Sequence, residues 1–410
     1  MKRVNTMGEF DSYFLLDTDS VRRYAVDALH LFSPEEELAS EEIGDGNINY
    51  VFRVRSLRDG RSVIVKQADR LLRSSGRPLD QNRSAIEAAA LKVEGELAPG
   101  LVPEVYHYDE VMAATAMEDI SSFRNLRLEL MANRVYPHLS ENLSTFMADT
   151  LLPTTDLVLD AEEKKRRVQF YTNPELCKIT EDLVLTEPYY DYKGRNIITS
   201  GNEDYVRDVL YLDEELHAEV AQLRLGFMNN AQALLHGDLH SGSIFANETG
   251  VKVLDPEFAF YGPMGYDIGN VLGNLFFSWA NKIFAQPKTP ENTAAAAALE
   301  TCIAEIFDKT REKLVEQYDR LVTLPLYRVE GFRIKWLADV MADAVGYAGT
   351  EIIRRTVGDS KVMEITSVAD LEKRIPMERA LILLGTVLIK NRAGIREGRE
   401  LTEQFHWILA

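Results

Sequence analysis

From Glu41 to about Ile120 the chain contains short runs of β-branched and aromatic residues, separated by polar turns, that have the pattern of β-strands. The clearest of these runs are Tyr50–Val54, Ser62–Lys66, 105–108 and 114–117. Between the second and third runs, the Ala- and Glu-rich segment Arg83–Leu97 has the apolar spacing of a helix. Residues 1–119 therefore predict a small unit of about five strands and one helix.

After Ser121 the spacing of apolar positions becomes helical for most of the chain. The predicted helical stretches are 123–150, 159–170, 205–232, 265–285, 291–320, 328–355 and 376–397. Between two of them, Ile244–Ala246 and Val251–Leu254 flank the turn Asn247–Gly250 and predict a hairpin. The sequence thus predicts an α+β protein in which residues 120–410 form a second, larger and mainly helical unit.

The composition narrows the possible partners. The 410 residues include 46 Lys and Arg against 65 Asp and Glu, a formal net charge of −19. No dense basic block is present, so neither nucleic acid nor an anionic membrane surface is an expected partner. The apolar run Ala380–Ile389 is about half the length needed to cross a bilayer. The absence of an apolar leader and the presence of only two cysteines, Cys177 and Cys302, predict a cytoplasmic protein.

The segment His236–Ser243 carries the strongest chemical signal, because it combines two histidines, two glycines and an aspartate just before the predicted hairpin. Asp238 is the candidate catalytic base: a carboxylate held in such a loop can orient an attacking hydroxyl and accept its proton. The two histidines have no third ligand at metal spacing. His236 is therefore interpreted as a brace for the loop.

Two further carboxylates, Asp255 and Glu257, follow the second strand of the hairpin. Hard carboxylate oxygens suit magnesium, provided that the chain bends at Pro256 so that both side chains face the same way. This layout resembles that of kinases, in which the position five residues after the catalytic aspartate is usually a metal-binding asparagine. Here that position is Ser243, and Glu257 is interpreted as the compensating ligand.

The N-terminal unit carries a candidate nucleotide site. Its glycine-rich turn supplies the candidate phosphate-binding residues Gly44, Gly46, Asn47 and Asn49. Lys66 ends an apolar strand, where it can neutralise phosphates and pair with Glu87 of the predicted helix. Met117, Glu118 and Asp119 end the last strand of the unit, and their backbone could contact the adenine edge.

Several of these segments together resemble 5-methylthioribose kinases. The resembling segments are Leu235–Ala246, Asp255–Gly269, Gly44–Asn47, Lys66–Ala68, Met117–Asp119, Thr172–Cys177 and Arg354–Arg355. The resemblance extends from about residue 12 to the end of the chain. Ser243 combined with the Asp-Pro-Glu segment separates this family from aminoglycoside and choline kinases, which resemble it more loosely through the His-x-Asp loop.

The resemblance implies a bilobal protein-kinase-like fold and ATP- and magnesium-dependent phosphorylation of the anomeric 1-hydroxyl of 5-methylthioribose, a step in methionine salvage. It also implies a homodimer. The residues so implicated are Asp238 for the hydroxyl, Asp255, Pro256 and Glu257 for magnesium and ATP, Lys66 with Asn47 or Asn49 for ATP phosphates, and Arg354 and Arg355 for the sugar and the transferring phosphate. Arginine suits the last role because its fixed charge offsets negative charge on phosphoryl oxygens.

Two other hypotheses follow from the residues. An aminoglycoside or choline phosphotransferase would use the acidic chain to bind a cationic substrate, but the paired arginines oppose this. A catalytically silent nucleotide-binding or scaffold protein would be favoured if Lys66, Asp238 or Asp255 were missing, and all three are present. The residues leave open which glycine-loop asparagine contacts ATP and which arginine dominates. They also leave open which side chains line the methylthio pocket and form the dimer interface.

Overall fold

The structure, a computed structural model, describes residues 8–43, 49–71 and 80–410. The chain divides into two compact units, an N-terminal unit, Met1–Ser122, and a C-terminal unit, Phe123–Ala410. The boundary predicted from the sequence, after residue 119, lies three residues earlier. The α+β composition predicted from the sequence is confirmed, with a strand-rich first unit and a helix-rich second unit.

The N-terminal unit is built on an antiparallel sheet whose described strands run in the order β1-β2-β3-β5-β4. These strands are β1 Leu38–Glu42, β2 Asn49–Ser56, β3 Ser62–Ala68, β4 Val105–Asp109 and β5 Ala114–Glu118, and the helices are α1 Ser20–Arg23, continued by a π-helical turn at Tyr24–Ala28, and α2 Asn82–Leu97. Alternate residues such as Val63 and Val65 are buried in a core with Tyr24. The two-residue period of a strand therefore turns Lys66 to the opposite face.

The C-terminal unit is mainly helical in the described residues. Its helices are α3 Leu126–Met131, α4 Leu139–Leu151, α5 Ala161–Phe170, α6 Pro174–Leu183, α7 Glu187–Tyr190, α8 Glu203–Val206, α9 Glu214–Asn229, α10 Gly265–Phe284, α11 Pro290–Leu321, α12 Glu330–Val357, α13 Met363–Thr366, α14 Leu371–Asn391 and α15 Gly398–Leu409, with 3-10 turns at Leu152–Thr154 and Arg392–Gly394 and a π turn at Arg207–Tyr211. No helix among the described residues combines the length and the apolar composition needed to cross a bilayer.

Helices α10 and α12 form the centre of this unit. Residues 265–282 of α10 are all buried, which explains why this stretch is apolar on nearly every side. The two helices approach closely: a Cβ built on Gly269 would lie 2.6 Å from the carbonyl oxygen of Ala344. Side chains on the facing surfaces of these helices can therefore contact one another directly.

Short strands position the loops of the C-terminal unit. They are β6 Arg124–Asn125, β7 Ala233–Leu235, β8 Ile244–Asn247, β9 Gly250–Val253 and β10 Phe260–Gly262. The β8–β9 hairpin predicted from the sequence is confirmed, and β6 pairs antiparallel with β8 on its other side. Strand β7 pairs antiparallel with β10. These pairings bring the segment after β7 close to the segment between β9 and β10.

Several predicted helix bounds were wrong for identifiable reasons. The stretch 123–150 contains two helices, α3 and α4, because Asn133 has a positive φ of 66° and Pro137 follows it. The stretch 205–232 is interrupted where Asp213 accepts a hydrogen bond from the Leu216 N–H and caps α9. Helix α14 begins at Leu371 rather than at residue 376, with Pro376 inside it. Helix α6 was not predicted.

Candidate active site

The loop that carries Asp238 leaves β7 through a conformation that requires glycine. Gly237 has a positive φ of 84°, and a Cβ at this position would lie 2.3 Å from the carbonyl oxygen of Phe258. The buried carboxylate of Asp267, in the first turn of α10, accepts hydrogen bonds from the N–H groups of His236 (2.7 Å) and Gly237 (3.0 Å). The start of the loop is therefore fixed by backbone contacts on two sides.

The His236 imidazole links this loop to the end of β9. Its Nε2 donates to the carbonyl oxygen of Leu254 at 2.7 Å, because that oxygen can only accept. Its Nδ1 accepts the N–H of Asp238 at 3.3 Å. Burial lowers the pKa of His236 to about 4, which keeps the ring neutral at physiological pH. The structure thus agrees with the interpretation of His236 as a brace, and the brace reaches the residue before Asp255.

His240 contacts the Asp238 carboxylate directly. Its Nδ1 accepts the N–H groups of Gly242 (3.0 Å) and Ser243 (3.1 Å), so the proton of a neutral ring is on Nε2. That Nε2 lies 3.4 Å from Asp238 Oδ2. The hydroxyl of Ser243 is buried and donates to the carbonyl oxygen of Asp238 at 3.1 Å. Ser243 therefore stabilises the loop, and His240 orients the carboxylate.

The Asp238 carboxylate also faces the two arginines of α12. Its Oδ1 lies 3.3 Å from Nη2 of Arg354 and 3.6 Å from Nη2 of Arg355. Burial raises the pKa of Asp238, but His240 and the two arginines outweigh this effect and lower the pKa well below its ordinary value. Asp238 is therefore ionised at neutral pH. Such a weak base is better suited to orienting a hydroxyl than to holding its proton.

The Asp-Pro-Glu segment bends sharply at its first residue. Asp255 has a positive φ of 62°, a left-handed conformation that costs about 1–3 kcal/mol for a residue with a side chain. The sequence predicts a bend at Pro256, and the left-handed residue directly precedes this proline. Asn173 holds the end of the segment, because its Nδ2 donates to the carbonyl oxygens of Glu257 (2.9 Å) and Ala259 (3.3 Å).

The chemistry of this segment fits a magnesium ion. Asp255 is exposed and Glu257 is partly exposed, and both offer hard carboxylate oxygens. The described residues contain no group of three or more His, Cys, Asp or Glu that could enclose a metal by themselves. Two carboxylates nevertheless match magnesium, which proteins commonly bind with one or two carboxylates while phosphates and waters complete the shell.

Within the N-terminal unit, Lys66 and Glu87 form the ion pair that the sequence analysis expected. Lys66 Nζ lies 2.6 Å from Glu87 Oε1, and the two side chains are only 11% and 5% exposed. Asn49 is buried, and its Oδ1 accepts a hydrogen bond from Arg83 at 3.0 Å. This contact does not favour Asn49 as a phosphate ligand. Gly44, Gly46 and Asn47 lie outside the described residues.

The segment at the end of β5 is held by its own side chains. Asp119 accepts hydrogen bonds from Arg53 Nε at 2.9 Å and from the Ser62 hydroxyl at 2.7 Å. The Glu118 N–H donates to the carbonyl oxygen of Glu104, so this donor is already used. Any adenine contact from Met117, Glu118 and Asp119 would have to use the other backbone groups of the segment.

Sequence reasoning gave no role to several residues that hold this site together. They are Asp267, Asn173, His240 and Glu351. The first three lie in segments that carry the family resemblance, which was the available signal. The hydrogen-bond partners of Asp267 and Asn173 lie 30 to 86 residues away in sequence, so no local pattern could assign these contacts.

Comparisons with known proteins agree with this geometry. The model of the phosphotransferase enzyme family matches residues 40–300, which include both the Lys66 strand and the Asp238 loop. This match and the arrangement of the site define a phosphotransferase. The chain is 38% identical over 382 residues to the methylthioribose kinase of Geobacillus sp. (strain WCH70), covering 92% of each chain. It is also 38% identical over 363 residues to that of Yersinia pseudotuberculosis serotype O:1b (strain IP 31758), covering 87% of each. The chain belongs to the methylthioribose kinase family.

Among solved structures, choline kinase from Cryptosporidium parvum Iowa II is 14% identical, with a TM-score of 0.49 over 92% of this chain and 100% of that one. The family match confirms the bilobal, protein-kinase-like α+β fold class that the sequence predicted. It also confirms that the chain is a kinase, which overturns the hypothesis of a catalytically silent scaffold.

Proposed function

We propose that this enzyme transfers the γ-phosphoryl group of ATP to the anomeric 1-hydroxyl of 5-methylthioribose, giving 5-methylthioribose 1-phosphate and ADP. The observation that carries the proposal is the ionised Asp238 carboxylate facing the Nη atoms of Arg354 and Arg355. A sugar hydroxyl needs an acceptor for its proton, and a transferring phosphoryl group needs cations, and this cluster offers both. The relatives' name supplies the sugar.

In the proposed reaction, Asp238 accepts a hydrogen bond from the sugar 1-hydroxyl and aims its oxygen at the γ-phosphorus. A bond forms between that oxygen and phosphorus as the bond from phosphorus to the leaving oxygen of ADP breaks. The hydroxyl proton passes to Asp238 as the new bond to phosphorus forms, and it then passes to solvent. The low pKa of this carboxylate favours the second step, the release of the proton. Arg354 and Arg355 offset the charge on the phosphoryl oxygens, which is the main task in phosphoryl transfer.

Asp255 and Glu257 would hold magnesium, which would supply positive charge to neutralise phosphate oxygens. Asp255 itself has a left-handed backbone conformation, which bends the chain directly after β9. The hydrogen bond from His236 to the Leu254 carbonyl fixes the position of this bend relative to the loop that carries Asp238. Ser243 is committed to the loop backbone, which supports Glu257 as the second carboxylate ligand.

ATP binding is proposed for the N-terminal unit. Lys66, oriented by its buried partner Glu87, would neutralise ATP phosphates. Gly44, Gly46 and Asn47 would approach the phosphates, and the backbone of Met117 to Asp119 would contact adenine. A place in methionine salvage, a cytoplasmic location and a homodimeric state complete the proposal, and they derive from the family resemblance and from the composition.

An aminoglycoside or choline phosphotransferase remains the alternative within the same fold. A cationic substrate at Asp238 would be repelled by the fixed positive charges of Arg354 and Arg355, whose Nη2 atoms lie 3.3 and 3.6 Å from Asp238 Oδ1. The test is an ADP-release assay with magnesium-ATP and 5-methylthioribose, ribose, choline or kanamycin as acceptor. The proposal expects rapid turnover with 5-methylthioribose and little with the others. Turnover with choline or kanamycin alone would refute the assigned substrate.

A further inference from the structure

The two arginines that face Asp238 share a second, fully buried carboxylate. Glu351 has 0% of its side chain exposed and lies on α12 one turn before the arginines, at the i−3 and i−4 positions. Its Oε2 accepts the Nε–H of Arg354, and its Oε1 accepts the Nε–H of Arg355 at 3.1 Å. We propose that Glu351 is a positioning residue, which fixes both guanidinium groups so that their Nη atoms are presented to the reacting groups at Asp238.

The inference rests on which nitrogen of each arginine contacts which carboxylate. Both arginines bind Glu351 through Nε and approach the single atom Asp238 Oδ1 through Nη2. Neighbouring residues on a helix point about 100° apart, so two consecutive side chains do not converge without a common partner. Two like charges held together also repel one another. Glu351 supplies both the common partner and the compensating charge.

The electrostatics of Glu351 are consistent with this role. Burial raises the pKa of Glu351, but the two arginines outweigh burial and lower it below its ordinary value. Glu351 is therefore an ionised carboxylate in the protein interior. A buried charge is costly unless it is paired and hydrogen-bonded, and both conditions are met here.

Glu351 is in turn tied to the catalytic loop. Asn274 of α10 donates its Nδ2–H to Glu351 Oε1 at 2.9 Å. The Oδ1 of the same amide accepts hydrogen bonds from Arg127 at 3.2 Å and from the Ser241 hydroxyl at 3.4 Å. Ser241 belongs to the loop that carries Asp238. One hydrogen-bonded path thus connects the arginine pair with the loop.

Close packing of α10 against α12 makes this path possible. A Cβ on Gly273 would lie 2.9 Å from the carbonyl oxygen of Ala348 and 3.2 Å from the Cβ of Glu351. Any larger residue at position 273 would push the helices apart and lengthen the contact between Asn274 and Glu351. The path is therefore a property of the packed helix pair and not of a mobile surface side chain.

The inference deepens the proposed function and rests on it for the target of the arginines. When a phosphoryl group reaches Asp238, each arginine can turn its Nη contacts from that carboxylate to the phosphoryl oxygens while its Nε remains on Glu351. The guanidinium groups then need no reorganisation during transfer, which is the condition for effective electrostatic stabilisation. Loss of Glu351 should therefore affect kcat more than the KM for ATP.

The test compares Glu351→Gln with a matched control, Glu378→Gln. Glu378 is also buried in the C-terminal unit, where it accepts hydrogen bonds from Lys361 at 3.2 Å and Arg374 at 3.0 Å. The Glu351 substitution keeps the shape and removes the charge. We expect it to lower kcat by about 10- to 100-fold, with the KM for ATP unchanged. The control should lower thermal stability and leave kcat within about 2-fold.

A second readout does not depend on turnover. In protein labelled with ¹⁵N-arginine, the Nε–H signals of Arg354 and Arg355, assigned with single Lys variants, should exchange slowly with solvent and lose this protection in Glu351→Gln. If the Gln variant does not fold, Asn274→Ala tests the same path. This substitution keeps the charges of Glu351, Arg354 and Arg355. It should still lower kcat several-fold and speed the exchange of the arginine Nε–H protons with solvent.

Wild-type kcat together with unchanged Nε–H exchange in the Glu351 variant would overturn the inference. An equal loss of kcat in the Glu378 control would also overturn it, since the effect would then be general destabilisation. If the wild-type protein does not phosphorylate 5-methylthioribose, the proposed function fails. The exchange measurement would still decide whether Glu351 holds the arginines.

Discussion

The buried His236 should make the stability of the protein depend on pH in a way that one substitution removes. The structure lowers the pKa of this residue from 6.5 to about 4. Between these values the unfolded chain binds a proton at His236 that the native chain does not, so stability is lost as the pH falls. At pH 5 the loss is about 2 kcal/mol, and near pH 7.5 it is about zero.

Replacing His236 with Gln removes this titration. The variant will have its own stability at neutral pH, so the informative quantity is the change in the free energy of unfolding between pH 7.5 and pH 5. We expect the wild-type protein to lose about 2 kcal/mol more than the variant over this range. Burial raises the pKa of Asp267 to about 7, and this opposing contribution is present in both proteins and cancels in the comparison.

Urea unfolding at the two pH values, followed by circular dichroism, measures this difference. His406→Gln is the control for losing a solvent-accessible imidazole, because His406 is half-exposed on the last helix. Protonation of His236 in the native protein would also remove the acceptor for the Asp238 N–H, so kcat should fall at lower pH than stability does, as the pH approaches about 4. Equal changes in unfolding free energy for the wild-type protein and His236→Gln would refute this reasoning.

Five further substitutions test the assigned roles. Asp238→Ala should lower kcat by about 100- to 10,000-fold, because the attacking hydroxyl loses its partner, and calorimetry should find ATP affinity nearly unchanged. Glu257→Gln should raise the magnesium concentration for half-maximal rate by about 10-fold or more, as measured by titrating the metal. Arg354→Lys and Arg355→Lys should each lower kcat or raise the KM for the sugar by about 10-fold or more, because lysine cannot bind two carboxylates through separate nitrogens. Gly237→Ala should destabilise the fold by about 2 kcal/mol or more, as read from urea unfolding.

Each of these results can contradict the assignment. Retained turnover in Asp238→Ala would remove that residue from the reaction. An unchanged metal requirement in Glu257→Gln would refute the idea that it compensates for Ser243. If both lysine variants keep wild-type kinetics, the arginines serve only the fold. Wild-type stability of Gly237→Ala would mean that the loop backbone can shift away from Phe258.

The sequence predicted the local features of this fold well, because local chemistry determines them. The strands and the helix of the N-terminal unit follow from runs of β-branched residues and from an Ala-rich segment. The β8–β9 hairpin follows from the polar turn between its apolar strands. The pairing of Lys66 with Glu87 was expected because a family pattern joined residues that no local pattern connects.

The remaining features depend on contacts between segments that are distant in sequence. The left-handed conformation of Asp255 is flanked by a contact with the catalytic loop, between the Leu254 carbonyl and His236, and no local pattern predicts this conformation. In the sequence, Asp267 is one polar residue in a largely apolar helix. Its role follows only from its contacts with the backbone of the catalytic loop. The role of Glu351 depends on the approach of α10 to α12, which no spacing in the sequence reveals.

The most direct test of the account is the identity of the product. Purified enzyme, incubated with magnesium-ATP and 5-methylthioribose, should give a new phosphate ester whose phosphorus correlates with the anomeric proton in a two-dimensional ¹H–³¹P spectrum. Asp238→Ala at the same concentration should give none. Phosphorus on another carbon of the sugar, or equal product from the variant, would contradict the central claim that Asp238 directs the 1-hydroxyl to the γ-phosphate.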